Sequence, residues 1–215
     1  PGPSTIPIPS LTPPPPPPPA PLPSPAPIAP PPAPSPQAHI LTKTETVLAG
    51  LREAYSPSTV EFNGIRKMWF GGWRTDEDPA QYLKQISEGQ DPARIFGPDK
   101  VFYTERTDSM WIQAILSFQK LGFHVNDPSV LHPPSSDGID RTQWLYMYYT
   151  ALANSDAEAG RLNRNIIGLA SSVDGGKTWT DHGIVVGQNN GLDATGAWSP
   201  SALVQGSEIW VYYHT

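Results

Sequence analysis

Cysteine is absent from the 215 residues, which excludes disulfide frameworks and thiol chemistry and leaves the redox compartment open. No run of 18 apolar residues exists, so no segment reads as a membrane-spanning helix. Basic residues are scarce: 14 Lys and Arg face 20 Asp and Glu, and the net charge of −6 argues against nucleic acid as the main partner. The five histidines show no zinc-ligand spacing. No phosphate-binding loop is present, because Phe70-Gly71-Gly72-Trp73 reads as strand with no helix following. Charge is missing altogether before Lys43. What fills that stretch is proline: 20 of the 28 prolines fall in residues 1–36, including Pro13 to Pro19. Such a segment cannot bury a core. It is expected to be extended polyproline II, reaching roughly 100 Å at ~3.1 Å per residue. A passive spacer and a docking peptide for a proline-binding groove both fit that composition. The expected division is a linker at 1–38 and one globular domain at 39–215.

The globular part repeats itself. Ser56-Pro57-Ser58-Thr59-Val60 recurs as Asp127-Pro128-Ser129-Val130-Leu131 and as Ser199-Pro200-Ser201-Ala202-Leu203. An aromatic run follows each copy: Met68-Trp69-Phe70, Tyr146-Met147-Tyr148-Tyr149 and Trp210-Val211-Tyr212-Tyr213. Strands are expected at 59–62, 67–73, 101–105 and 111–116 in the first repeat. In the second they are expected from Pro128, at 144–150, at 166–171 and near 184–186. The third offers 201–204 and 208–214. Asn63-Gly64 is a type I′ hairpin signal, since both central residues need positive φ. Residues 74–100 and 153–165 read as polar loops, and some regular structure is expected near 46–51. Four antiparallel strands per period of 71 or 72 residues is the signature of β-propeller blades with long loops. Two and a half blades leave a ring open. The chain is therefore expected to be the N-terminal part of a longer protein, and inactive when isolated.

Two motifs bear on chemistry. Ser172-Val173-Asp174-Gly175-Gly176-Lys177-Thr178-Trp179 fits the Asp box, S-x-D-x-G-x-T-W, whose Asp closes a tight turn and whose Trp packs between sheets. Arg106 to Trp111 is a degraded equivalent. The second motif is the residue before each repeat's proline: Ser56, Asp127, Ser199. At the start of an innermost strand this slot lies at the mouth of the propeller channel. All three residues can cap backbone there. Asp127 alone can also present an ionised carboxylate able to activate water. Both readings stand on the sequence.

Asn126-Asp127-Pro128, the aromatic second strands and the Asp box together resemble the five-bladed propeller glycosidases, families 43, 62, 32, 117 and 130, and family 43 best, over residues 55–215. The resemblance implies an all-β propeller of five four-stranded blades and hydrolysis of O-glycosidic bonds in poly- or oligosaccharides. It also implies three channel acids from different blades, working by inversion with base and acid about 6.5–9.5 Å apart. The match is incomplete. The family's usual base position in the first repeat is Ser56, and the acid Glu is expected beyond residue 215. Asp127 is the candidate catalytic carboxylate. Trp73, Arg74, Asp76, His124, Asn126, Trp198 and His214 are candidate sugar contacts, with His214 aligned to Gly72 and Thr150. For the aromatics and both histidines, core packing competes with that role. Asp137, Asp140, Asp156 and Glu158 read as solvated loop charges. No cofactor is expected, and a structural Ca²⁺ has no motif. The expected partner is a carbohydrate, with no nucleic acid and no membrane span, and the protein is expected to be a monomer. The proline spacer suits export to the surface or medium of a bacterium. A non-catalytic carbohydrate-binding propeller is the alternative, and a protein-binding scaffold a third reading.

Overall fold

The structure is a computed structural model that describes residues 51–74, 77–108, 110–135, 140–188 and 195–215. The proposed linker, the lead-in at 46–50, Asp76 and Asp137 lie outside the described residues. All elements fall in the unit Lys43–Thr215. They are β1 (Glu53–Phe62), β2 (Ile65–Trp73), α1 (Glu77–Ser87), a single 3-10 turn (Pro92–Arg94), β3 (Lys100–Glu105) and β4 (Ile115–Phe118) in the first repeat. The second has β5 (Phe123–Leu131), β6 (Leu145–Ala153), α2 (Asn154–Glu158), β7 (Ile166–Ser172) and β8 (Thr180–Val186). The third has β9 (Trp198–Gln205) and β10 (Glu208–His214).

The strands form antiparallel sheets in meander order, β1-β2-β3-β4, β5-β6-β7-β8 and the hairpin β9-β10. These are propeller blades, two complete and one of two strands. Asn63 and Gly64 have φ of 52° and 76°, as a type I′ turn demands.

Two expected loops contain helices. α1 follows β2 and carries Asp78 and Pro79 in its first turn, where proline's missing N–H has no intrahelical partner to lose. Only Tyr82 of α1 is buried, although Pro79, Tyr82, Leu83 and Ile86 fall at helical spacing. α2 is a five-residue helix whose Asn154 donates to the carbonyls of Pro92 and Ile95 at 3.0 and 2.9 Å. Tyr82 donates to Glu158 at 2.8 Å. The two insertions thus brace each other, and Glu158 is a structural acceptor rather than only a solvated charge. Asp156 likewise pairs with Arg161 at 2.6 Å.

One core spans the first two blades. Trp69, Tyr103 and Val101 from the first pack with Val125, Leu145, Met147 and Tyr149 from the second. Buried Trp69 donates to Gly176 O at 3.0 Å, and Lys67 donates to Gly175 O at the same distance. Ser117 also donates to Gly176 O, and accepts from Trp179 Nε1, both at 2.9 Å. The Asp-box turn of the second blade is therefore a plug in the face of the first. Burial drives the Lys67 amine below the ordinary lysine range, opposed by the neighbouring Glu105 carboxylate. A second core joins Leu131, Tyr148 and Ile167 to Ala202, Ile209 and Val211 of the third repeat.

Candidate active site

The three slot residues share an unusual backbone. Ser56, Asp127 and Ser199 have φ of 50°, 46° and 52°, in the left-handed region that non-glycine residues seldom adopt. Each sits in a break of strand register: Tyr55/Ser58 in β1, Asn126/Ser129 in β5 and opposite Tyr212/His214 in β9. The proline that follows lacks an N–H, so a bulge there forfeits little ladder bonding. Strain of about 1–3 kcal/mol per residue persists only where the surroundings over-determine it, and here it turns all three side chains inward.

They meet on Asp127. Ser56 Oγ donates to Asp127 Oδ1 at 2.5 Å, and Ser199 Oγ donates to Oδ2 at 3.1 Å. Thr150, opposite Asn126 on β6, donates to the same Oδ2 at 3.2 Å and accepts from Ser199 N at 2.8 Å. One carboxylate therefore ties three repeats together. A carboxylate has about four lone-pair sites, so three hydroxyl donors leave one for water or a sugar hydroxyl.

Below the slot the repeats are stapled. Ser58 Oγ accepts from Val130 N, and Ser129 Oγ accepts from Ala202 N, each at 2.9 Å. In the first two repeats the serine two positions after the slot thus serves the next blade. This explains why that serine recurs while the slot itself varies.

Asp127 borders two cavities and is the single residue common to them. One, about 420 Å³, is the channel between the three repeats, lined by the slot residues and the three that follow each. The other, about 300 Å³, is lined by Asn126, Asp127, Thr150, Leu162, Asn165 and Trp198. Among the described residues, Asp127 is the only carboxylate on either wall. Asn126 Oδ1 is buried with no partner among the described residues, and Asn165 is held by its bond to Leu162 O at 2.8 Å. Trp198 supplies an aromatic wall. Of the sequence-derived contacts, Asn126 and Trp198 join Asp127 here.

The others stand elsewhere. His124 Nδ1 pairs with Asp99 at 2.8 Å, and Tyr55 donates to the other oxygen of that carboxylate at 2.6 Å. Burial and the Asp99 charge push the Tyr55 phenol far above its usual range. His124 also meets Tyr82 edge to face at 5.5 Å. Trp73 ends β2 half-buried, opposite Glu53, and Arg74 is exposed. His214 is exposed and lines neither cavity. It lies opposite Trp198, as Thr150 lies opposite Asn126 and Gly71 opposite Tyr55, so the first-repeat equivalent is Gly71 and not Gly72. Thr150 and Asp99 escaped sequence reasoning. Cross-strand register reveals the first, and no sequence signal marks the second.

No family model matches the sequence, and no curated protein matches it in sequence. Among solved structures, the chain is similar to Zg3597, a family 117 glycoside hydrolase from the marine bacterium Zobellia galactanivorans. The two share a TM-score of 0.53 and 17% identity, over 76% of this chain and 48% of that one. The chain has the fold of a propeller glycoside hydrolase. It spans about half the length of that protein. A fructofuranosidase from Schwanniomyces occidentalis also aligns, at TM-score 0.44 and 15% identity over 70% of this chain and 27% of its own. So does the Bombyx mori GH32 β-fructofuranosidase BmSUC1, at 0.44 and 13%, over 74% and 29%.

Proposed function

We propose that the protein carrying this chain is a glycoside hydrolase that cleaves O-glycosidic bonds in poly- or oligosaccharides, with Asp127 as its channel carboxylate. The observation that carries this reading is the convergence of three left-handed slots on one carboxylate that borders a cavity walled by Trp198 and two amides. Asp127 is the general base, or the carboxylate that orients the base, in an inverting reaction of the family 43-like kind. Its free lone pair receives the proton of the attacking water. The acid partner comes from outside the residues that line these two cavities, in keeping with a five-bladed ring. Asn126 and Trp198 hold the sugar, the first by accepting a hydroxyl and the second by stacking. An exported bacterial protein acting as a monomer fits this reading.

The second reading, a non-catalytic sugar-binding propeller, is favoured by one observation: Asp127 spends most of its acceptor capacity on three hydroxyls. Hydrolysis of arabinoxylan and an aryl-glycoside panel by the protein and its Asp127→Asn variant separates the two. The enzyme reading expects turnover that falls about 10²- to 10⁴-fold in the variant. Equal turnover removes Asp127 from the mechanism, and sugar binding without turnover in either supports the second reading.

A further inference from the structure

A third cleft, of about 420 Å³, shares no residue with the two that Asp127 borders. It lies between α1, the segment after the 3-10 turn, and the start of β3. Lys100 on its wall pairs with Gly72, so the cleft opens at the slot end of the first blade.

Its chemistry is distinctive. Gln81, Gln85, Gln90 and Gln119 all line it, and among the described residues none of these four amides has a partner within the protein. Each carries both a donor and an acceptor. The charges on the wall are already compensated: Lys100 holds Asp78 at 2.7 Å, and Arg94 lies 3.6 Å from Asp91. Among the described residues each cation on the wall thus has a carboxylate beside it, Lys100 the more closely. Two apolar side chains complete the wall. Phe96 is 41% exposed and Leu121 51% exposed, and a β-bridge between their backbones holds them side by side. Exposed apolar groups fixed by backbone pairing form a platform, while unpartnered amides around them form a fringe of donors and acceptors. That combination matches a neutral polyhydroxylated ligand, whose ring has an apolar face and a hydroxyl rim.

We infer that this cleft is a second carbohydrate-binding site for a neutral glycan, separate from the Asp127 cavities. Phe96 stacks on a sugar ring and the glutamines bind its hydroxyls. The inference does not depend on hydrolysis and holds whether or not Asp127 is catalytic.

The test is affinity electrophoresis of the full chain in gels containing neutral arabinoxylan, neutral mixed-linkage β-glucan or polygalacturonate. Phe96→Ala, Gln85→Ala/Gln119→Ala and Asp127→Asn run beside it. These side chains stand at the surface or at a cleft wall, and circular dichroism checks that each variant is folded. The expected result is retardation by a neutral polymer that is weakened at least about tenfold in Phe96→Ala and in the glutamine variant, and that persists in Asp127→Asn. Absence of retardation in both neutral gels overturns the inference. So does retardation that survives in Phe96→Ala and in the glutamine variant, or retardation by polygalacturonate alone.

Discussion

Asp127 and Ser56 hold the same place in successive repeats, yet one is the acceptor and the other a donor of a single 2.5 Å hydrogen bond. Because Ser occupies the slot twice with the same left-handed backbone, Asp127→Ser is compatible with the fold. We expect it to cost about 1–2 kcal/mol for the lost charge-assisted bonds, a modest drop in thermal midpoint, while abolishing any chemistry that needs the carboxylate. A variant that fails to fold would show the aspartate to be structurally indispensable. The stapling serines test a different point. Ser58→Ala and Ser129→Ala each leave a backbone N–H, of Val130 and Ala202, without its partner. Each is expected to lower stability by about 1–3 kcal/mol in urea titrations. The proline, serine and slot identities were all legible in sequence. The left-handed φ was not, because Asp enters that region only occasionally and Ser seldom, and packing decides where they do.

At the scale of elements, the turn from Ser172 to Trp179 is closed on the Asp174 carboxylate. Ser172 Oγ donates to Asp174 at 2.7 Å, as do Lys177 N at 3.1 Å, Thr178 N at 3.0 Å and Thr178 Oγ1 at 2.6 Å. Burial alone would raise the Asp174 carboxyl, but these bonds outweigh it and hold the value at about 2. A depressed folded-state value means that the stabilisation is present above the unfolded value near 4 and is lost as pH falls towards 2. Asp174→Ala should cost about 2 kcal/mol at pH 7, and its deficit relative to the parent should shrink between pH 4 and 2 in acid-unfolding curves. Gly176 is more exacting. It has φ of 83°, and a Cβ there would lie 2.1 Å from the Trp69 ring. Gly176→Ala is therefore expected to destabilise more than Asp174→Ala in the same assay, since it strains the backbone and unseats the plug together. The hairpin at Asn63-Gly64 was readable, because turn chemistry is local. α1 was not read, although Pro79, Tyr82, Leu83 and Ile86 fall at helical spacing, because the Asp, Gly and Pro residues of that segment signalled a loop.

At the scale of the whole molecule, cohesion lies between blades as much as within them. The face of the first blade that carries Ser58, Val60, Lys67 and Trp69 receives the second, and the face of the second that carries Ser129, Leu131, Tyr146 and Tyr148 receives the third. The corresponding side of the hairpin β9-β10 shows Leu203, Trp210 and Tyr212 at 44%, 44% and 54% exposure. Since one core spans the first two blades, Trp69→Ala should cost about 3–5 kcal/mol and lower the stability of both together. Far-ultraviolet circular dichroism and tryptophan fluorescence should then trace one transition. Two separate transitions would mean that the blades are independent units.

Repetition, strand alternation and turn residues determined the all-β class and the single slot that differs, because these depend on neighbours in sequence and on a period that can be counted. Only the tertiary structure decided what that difference means. Ser56, Asp127 and Ser199 are 71 and 72 residues apart, and nothing local says that their side chains converge on one carboxylate. The same holds for Thr150, which reaches Asp127 through strand register, and for the four glutamines around one cleft, which are scattered along 39 residues of chain. Convergence is a property of how sheets stack around an axis, and stacking is set by buried surface shared between blades rather than by any segment alone.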